Sequence, residues 1–324
     1  MADTTGIGHL TDMLMDYETT TYGTLEDSTE IAMPFVSEGL TSKYAEVKND
    51  VLRAEAVQRP PAQGNEAVTG PIVLEADYDN IKEILGYVLG TGTTGTATPA
   101  DENVMRNSVI IDKKVRRYQF LGGVINRAVF RSDANSEKLM IDTDWIFQHL
   151  NITSDAMPGS ASLTVSEPVK HSTLVFRINQ SSNGALDAND ALKIESFTLT
   201  VDNHFGVVYG SEDGLILQPM REAKRETKFE FTAARLNTDA EITNLLTEQA
   251  SWTNIQADLI WTGGLGSNAL TIQLPEMRIT EPAPASVEGA GAIPFKVGLT
   301  CYKNVSHDTL MGDANDEIRM VLAT

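Results

Sequence analysis

The sequence of 324 residues contains a single cysteine, Cys301. One thiol can form neither an internal disulfide nor a zinc site built from cysteines, so disulfide-stapled domains and zinc ribbons are excluded. No stretch approaches the roughly 18 consecutive apolar residues that a transmembrane helix needs. The first residues, "MADTTGIGHLTDMLMDY", are polar and acidic and do not resemble a secretory signal peptide. We therefore expect a soluble protein without a membrane partner.

Basic residues are scarce relative to acidic ones. The chain has 25 Lys and Arg against 45 Asp and Glu, which gives a formal net charge of −20. Proteins that grip nucleic acid use Lys and Arg to displace phosphate counterions, so this balance argues against such binding. An excess of acid is typical of a soluble surface, and it also suits a surface over which DNA passes without sticking.

Recognisable catalytic motifs are lacking as well. The chain has no H-E-x-x-H and no G-x-S-x-G motif. "GTGTTG" at residues 90–95 matches G-x-G-x-x-G, but it follows a predicted helix instead of a strand, which favours a loop. "DAND" begins at Asp187 and at Asp313, but neither copy continues as an EF-hand loop, which favours solvated acidic turns. We predict no catalytic, cofactor-binding or metal-binding residue. The five histidines are scattered: His9, His149, His171, His204 and His307.

One cluster of basic residues stands out in this acidic chain. It is flanked by carboxylates, so we expect it to pair with acids across a subunit boundary instead of binding phosphate. Its members are Arg106, Lys113, Lys114, Arg116 and Arg117.

Strand signals dominate the rest of the chain. Runs with period-2 alternation or with β-branched and aromatic residues recur between clusters of Gly, Pro, Asn and Asp. In "SFTLTVD", Phe197, Leu199 and Val201 share one face and polar residues occupy the other, which is typical of a half-buried antiparallel strand. We predict a mainly β fold, of a β-rich α+β class, with short flanking helices.

Helical periodicity appears in two segments, 81–89 and 242–246. Asp79 is the candidate N-cap of the first, and Thr238 or Asp239 of the second. The apolar residues that share a helix face are Ile81, Ile84, Leu85 and Val88 in the first segment and Ile242, Leu245 and Leu246 in the second.

The same order of elements occurs twice along the chain. We predict two like domains in tandem, at residues 31–155 and 165–324, behind an N-terminal arm at 1–30; chance agreement between unrelated β-rich domains is the alternative. The arm and the loop 90–103 are polar, so we expect both to be mobile in the free subunit and ordered by assembly. The predicted elements are Ile72–Leu74, helix Ile81–Leu89, Val109–Ile111, Val124–Phe130 and Leu139–Thr143 in the first half, and Phe229–Phe231, helix Ile242–Leu246, Ile255–Trp261, Leu270–Ile279 and Phe295–Cys301 in the second.

Several segments carry a resemblance to a known family: "MPFVSEGLTSKYAEVKNDVLRAEA", "TGPIVLEADYDNIKEILGYVLG", "IESFTLTVDNHFGVVYG" with "MREAKRETKFEFTAARL", and "LTIQLPEMRITEPAPASVEGAGAIPFKVGLTCYKN". They resemble the major tail tube proteins of long-tailed, siphovirus-like bacteriophages, from about Ile31 to Asn304. The resemblance implies small β-sandwiches with a flanking helix, whose sheets join those of neighbouring subunits into a ring with a closed inner barrel. It also implies that rings stack into a hollow tail tube through which viral DNA passes during ejection.

Ring size connects the resemblance with the internal repeat. A barrel of given circumference needs a fixed number of strands, and in the common form of the family six single-domain subunits supply them. If each chain carries two tube domains, three chains close a pseudo-sixfold ring, which we favour. If only one half is a tube domain, the ring is a hexamer. The implied partners are other copies of the chain, the tape-measure, tail-terminator and tail-tip proteins, and double-stranded DNA in transit without specific binding; no cofactor is implied.

Three alternatives stay open at this point, and one of them, a hydrolase on a β scaffold, has no sequence motif in its favour. A β-sandwich capsid decoration or adhesin protein would expose an aromatic platform for its ligand, whereas only 6% of these residues are aromatic. The inner tube of a contractile tail or of a type VI secretion system shares the fold. The expectation that we favour is a non-enzymatic structural protein of the virion tail, assembled in the host cytoplasm.

Overall fold

The computed structural model describes residues 12–18, 21–25, 30–48, 60–90, 96–97, 105–154, 167–180, 184–211, 214–233, 245, 247, 254–263, 269–281, 295–303 and 317–323. Regular structure in this part of the chain is almost all antiparallel β-strand, with one α-helix, α1 (Ile81–Leu89). The predicted mainly β fold class is therefore confirmed. In the loop after Leu89, residues 91–95 and 98–103 lie outside the described residues. Of the second predicted helix, 242–246, only Leu245 is described, and it is helical.

The described residues of the first half form ten strands. They are β1 (Asp12–Tyr17), β2 (Ile31–Ala32), β3 (Ser37–Glu38), β4 (Thr41–Val47), β5 (Ala62–Glu75), β6 (Thr96–Ala97), β7 (Asn107–Asp112), β8 (Arg117–Asp133), β9 (Met140–Phe147) and β10 (His149–Thr153).

The described residues of the second half form nine strands and two 3-10 turns, the turns at His171–Thr173 and Ala188–Asp190. The strands are β11 (Leu174–Gln180), β12 (Ser196–Asp202), β13 (Phe205–Gly206), β14 (Met220–Arg221), β15 (Glu226–Ala233), β16 (Ile255–Thr262), β17 (Ala269–Glu281), β18 (Phe295–Cys301) and β19 (Arg319–Ala323).

One long sheet runs through both halves. Its strands are hydrogen-bonded in the order β4–β5–β9–β8–β12–β15–β18–β17, all antiparallel. We call it the main sheet. One of its faces packs on α1 and on the other strands of the chain, and the opposite face, which we call the open face, carries polar and charged residues.

Strand β8 bends and serves two layers. Residues 117–121 pair with β10, and from Val124 onward the same edge pairs with β9. The bend lies at Gly122, whose φ is +64°, and at Gly123, where a Cβ would lie 2.3 Å from the Phe147 ring. Glycine is required at both positions, because side chains rarely adopt the first conformation and have no room at the second.

The core between the layers is rich in aromatic side chains. Trp145 stacks on Phe147 in the first half, with ring centroids 5.4 Å apart. In the second half Phe176 contacts Phe229 and Phe231 at 5.6 and 5.1 Å. These aromatic side chains are buried in the core, where their large apolar area stabilises the fold most.

Helix α1 lies where the periodicity predicts it, and its apolar face is buried. The predicted cap at Asp79 is wrong: Asn80 is the N-cap, and no side chain caps it. Asp77 takes over this role, because its Oδ1 accepts from the backbone N–H groups of Asp79 and Asn80, both at 2.9 Å. The helix ends at Gly90, whose left-handed φ of +92° lets its N–H donate to the carbonyl of Gly86.

Strand β1 was not predicted, because it lies in the segment assigned to an arm. All six of its residues pair with β7, from Asp12 opposite Asp112 to Tyr17 opposite Asn107. Met13 and Met15 are buried. These six residues are therefore part of the fold, in contrast with the arm assignment, because a short apolar run gains enough burial when a ready strand edge accepts it.

Candidate assembly surface

The same pattern of strand pairing occurs in both halves of the chain. In the first half the outer layer runs β1–β7–β8–β10, and in the second it runs β11–β16–β17–β19. In the main sheet, β8–β9–β5–β4 of the first half corresponds to β17–β18–β15–β12 of the second. Each of these strand pairs in one half thus has a counterpart in the other.

Strand β17 repeats the change of partner seen in β8. Residues 269–273 pair with β19, whereas Met277 and the residues after it pair with β18 along the same edge. Each long strand also has a register shift against its hairpin neighbour, between Ile125 and Arg127 in β8 and between Ile279 and Glu281 in β17. Such bulges bend a strand, so both strands pass from one layer to the other in the same way.

The two halves meet in a regular strand pair. Seven residues of β12 lie opposite seven of β8, from Ser196 opposite Asp133 to Asp202 opposite Arg127. Buried Leu199 lies opposite buried Phe130. The junction is thus an antiparallel ladder with a shared core, and it makes the main sheet continuous across the two halves.

The main sheet has an unpaired edge at β4. Among the described strands β4 pairs with β5 alone, while most of its residues are exposed. Tyr44 and Val47 are about half exposed along this edge. A strand edge of this kind presents free N–H and C=O groups to any further strand that can pair with it.

Ion pairs cover part of the open face. Arg131 of β8 binds Asp142 of β9 with two hydrogen bonds, Nε to Oδ2 at 2.6 Å and Nη2 to Oδ1 at 3.2 Å. These bonds raise the pKa of the Arg131 guanidinium. Three further cations of this face are paired in the same manner: Lys138 with Glu75, Lys228 with Glu226, and Lys296 with Glu230. The charges of these pairs cancel locally, which leaves a polar face in place of a basic one.

Two lysines of the predicted basic cluster are paired within their own chain. Lys113 binds Glu38, and Lys114 binds Asp12 and Asp112. Acids of β1, β3 and β7 of the same chain thus already contact these two lysines, and pairing of the cluster across a subunit boundary stays a prediction. The hydrogen bond that Lys114 Nζ donates to the Asp12 carboxylate raises the pKa of Lys114.

The histidines do not converge on one site. His149 contacts Glu66 at 2.8 Å, His171 contacts Ser132 at 3.0 Å, and His204 contacts Asp202 at 3.3 Å. His9 and His307 lie outside the described residues. Within the described ranges no group of three or more His, Cys, Asp or Glu side chains is placed to hold a metal ion.

The first acidic motif is a structural turn. Asp187 caps the 3-10 turn Ala188–Asp190, and Asp190 in return accepts from the N–H of Asp187. Asp190 also accepts from Asn179 and is buried, so the expected solvated turn is wrong for this residue. Asp313, like the residues 91–95 of the glycine-rich motif, lies outside the described residues.

Cys301 does not present a reactive thiol. It is buried in β18, and burial raises the pKa of the thiol. A neutral, buried thiol is a poor nucleophile and a poor metal ligand.

The junction between β8 and β12 is the feature that sequence reasoning missed. One signal was available: the run "RYQFLGGVINRAVFRSD" is 17 residues long, about three times a usual strand, with two glycines inside it. A strand of that length has to leave one sheet and enter another.

The described residues thus form a continuous antiparallel sheet with a polar open face and an unpaired edge, as expected of a β-rich subunit whose edge can accept a further strand. Comparison with family models matches residues 8–301 to the phage tail tube protein family, and the chain belongs to that family. Comparison with curated proteins gives no match. The protein is thus a structural subunit of a bacteriophage tail tube, located in the virion tail, and it assembles with itself and with other tail proteins. No helix among the described residues is long and apolar enough to cross a membrane.

Proposed function

We propose that each chain supplies two tube domains, residues 31–155 and 165–324, and that three chains close a pseudo-sixfold ring. The observation that carries this proposal is the junction of β8 with β12, where the two halves of one chain already join edge to edge. Since the halves share one pairing pattern, the same junction can be repeated between chains.

The register identifies the edge that would receive a neighbour. Gly70 lies opposite Trp145 in the first half as Phe229 lies opposite Leu299 in the second. Strand β5 therefore corresponds to β15, with Gly70 at the position of Phe229. The strand beside β5 is formed by residues 37–43, which span β3 and the start of β4, and the strand beside β15 is β12. Residues 37–43 thus correspond to β12. The outer edge of residues 37–43 has no paired strand among the described residues, whereas the outer edge of β12 pairs with β8. We infer that the second half of another chain pairs there.

Strand numbers support a ring of three. The described residues of each chain contribute eight strands to the main sheet, so three chains place 24 such strands around the ring. Six single-domain subunits with four strands each would give the same number and hence a similar diameter. Closing the sheet also removes the edges at which isolated β-domains aggregate. A hexameric ring would double the strand number if both halves lined it.

The open face is then the wall of the channel. Double-stranded DNA moves along a wall only if few cations bind its phosphates, because each phosphate contact strengthens retention. On this face Arg131, Lys228 and Lys296 are each held by a carboxylate. We infer that these ion pairs let DNA pass without specific binding.

The remaining parts of the proposed role follow from assembly. The subunit acts without catalysis and without a cofactor, the rings stack in the host cytoplasm, and the tube contacts tape-measure, tail-terminator and tail-tip proteins. We favour the non-contractile tail of a siphovirus-like phage, in accord with the segments "TGPIVLEADYDNIKEILGYVLG" and "IESFTLTVDNHFGVVYG".

Negative-stain electron microscopy of the purified, concentrated protein, alone and with its tail partners, tests this proposal. It predicts striated hollow tubes of uniform diameter. A protein that stays monomeric under all these conditions and turns over a substrate would contradict it.

A further inference from the structure

A hairpin folds over one end of the main sheet. Strands β13 and β14 form it, with Phe205 opposite Arg221 and Gly206 opposite Met220, and we call its described residues, 205–211 and 214–221, the rim hairpin. Its inner side chains Phe205 and Ile216 pack on Val124 and Ile146, on the open-face side of β8 and β9. It follows directly after the end of β12, so it lies at the end of the sheet where β12 finishes and β15 begins.

Several contacts hold the rim hairpin in place. The N–H of Phe205 donates to Oδ1 of Asn126 at 2.7 Å, and the carbonyl of Gly214 accepts from Glu66 at 3.2 Å. The guanidinium of Arg221 lies 5.5 Å from the centre of the Phe205 ring. The hairpin is therefore fixed before it meets any partner, which lowers the entropic cost of binding.

The outer side of the rim hairpin is also apolar. Val208, Leu217 and Met220 are 61%, 50% and 76% exposed. The N–H of Leu217 donates to the carbonyl of Val208 at 2.8 Å, so these two residues are neighbours across the hairpin. A hairpin that packs its inner side and still exposes three large apolar side chains on its outer side is typical of a contact surface.

A largely aliphatic cavity lies at the other end of the sheet. It has a volume of about 380 Å³, and His171, Leu174, Val175, Leu192 and Ile194 are among its lining residues. We call it the rim pocket. The rim pocket adjoins the end of β8, because Nδ1 of His171 lies 3.0 Å from Ser132 Oγ. The backbone N–H of His171 also donates to the carbonyl of Glu137, in the turn after β8, at 2.9 Å. Val124 and Ser132 are eight residues apart in β8, so the two features are separated by about 26 Å along the strand.

We propose that the outer side of the rim hairpin docks at the rim pocket of a second copy of the chain in the next ring of the tube. This rests on the proposed function, since only a stack of rings brings opposite ends of two subunits together. Two different apolar surfaces at opposite ends of one subunit form a head-to-tail contact, and such a contact repeats without closing, which generates a filament.

A partner inside the channel is the competing occupant for the same apolar surface. The ring contact is favoured because the opposite end of the subunit carries a complementary apolar feature, the rim pocket, which is lined by the half-exposed Val175 and by Leu192. A surface that remained in the channel would instead leave three apolar side chains in water along the path of the DNA.

The test is a triple variant, V208S/L217S/M220S, in the full-length protein. These side chains are at least half exposed, so the subunit is expected to fold and to form rings at the concentration of the unmodified protein. Electron microscopy measures tube formation. The variant is expected to need at least about tenfold more protein than the unmodified chain to form tubes, which corresponds to a loss of about 1.4 kcal/mol for each contact between rings. The matched control is V115S/I152S, which removes two equally exposed aliphatic side chains elsewhere and is expected to leave both assemblies unchanged.

The outcomes separate this inference from the proposed function. If the triple variant formed tubes at the same concentration as the unmodified protein, the docking inference would be overturned. Rings of three subunits would still support the proposed function in that case. Normal tubes that lose only the tape-measure protein would overturn the docking inference as well, in favour of the channel partner. Absence of rings in the unmodified protein would count against the proposed function itself.

Cross-linking provides a second measurement. The variant M220C/V175C carries one thiol on the rim hairpin and one at the rim pocket, and the native Cys301 is buried. A short bifunctional thiol reagent is expected to link chains into a ladder in tubes and not in free rings. The variant M220C/V115C, with its second thiol away from the pocket, is expected to give no ladder. Equal ladders from both variants would contradict the docking.

Discussion

The side-chain amide of Asn203 donates hydrogen bonds to the carbonyl oxygens of Val88 and Ile125, both at 3.0 Å. Asn203 follows β12 in the second half of the chain, and Val88 lies in the last turn of α1 in the first half. Arg225 completes the link, because its Nε donates to Oδ1 of Asn203 at 2.8 Å and its Nη2 to the carbonyl of Leu89 at 3.2 Å. The end of the helix in one half is thus held by side chains of the other.

Replacing Asn203 with alanine tests this link. The change leaves two buried carbonyl groups without these donors and removes an acceptor from Arg225. A buried polar group left unsatisfied costs about 1–3 kcal/mol, so we expect the free energy of unfolding to fall by at least about 2 kcal/mol in urea titrations of the free subunit. The control Asn135→Ala, in the exposed turn after β8, is expected to change it by less than about 0.5 kcal/mol. Equal effects of the two variants would refute the link.

Leu85→Ala tests the packing of α1 against its sheet. Leu85 is 2% exposed, so its truncation is expected to lower the free energy of unfolding by about 2–5 kcal/mol, measured by chemical denaturation. Lys82→Ala on the exposed side of the same helix is the control and should be close to neutral, because alanine is the better helix former. A loss below about 1 kcal/mol for Leu85→Ala would contradict a packed helix. The counterpart predicted in the second half, Leu246, lies outside the described residues.

A buried carboxylate secures the bend of β8. Glu18 is fully buried, and its carboxylate accepts from Ser108 Oγ at 2.6 Å and from the N–H groups of Gly122 and Gly23 at 2.7 and 2.8 Å. Hydrogen bonds to a charged group contribute about 1.5–3 kcal/mol each, so Glu18→Ala is expected to cost at least about 3 kcal/mol of unfolding free energy in urea. Glu46→Gln, on the exposed edge strand β4, is the control. A near-neutral Glu18→Ala would show that the two glycines set the bend unaided.

The open face supports a prediction about DNA. Asp142→Asn removes the charge that pairs with Arg131, so a guanidinium is released toward the proposed channel. We expect tubes of this variant to retain double-stranded DNA at 50 mM salt and to release it near 200 mM, as sedimentation of labelled DNA with tubes would measure. The control Asp12→Asn changes the same charge beside Lys114 in the outer layer and should not retain DNA. Retention by both variants would mean that net charge matters and the location does not.

Local pattern was enough to predict much of the fold. The alternation of Phe197, Leu199 and Val201 placed β12 correctly, and the helical spacing of Ile81 and Leu85 placed α1. These signals are local because burial of one face of a strand or helix repeats with its own period.

Contacts between distant segments could not be predicted in the same way. Strand β1 depends on the edge of β7, about ninety residues away, and its short apolar run gives no period of its own. The pair Arg131–Asp142 and the direction of each side chain depend on which face is the core, and that choice follows from the register of the whole sheet. The equivalence of the two halves in strand order was visible, whereas the ladder that joins them, β8 with β12, was not.

Subunit number per ring tests the central claim most directly. Native mass spectrometry of rings released from tubes, checked by the symmetry of end-on images of the tube, measures it. With a chain of 35.2 kDa, three subunits give a ring of about 106 kDa with six similar lobes and true threefold symmetry. Six subunits per ring, at about twice that mass and with only one half of each chain lining the channel, would contradict the tandem arrangement.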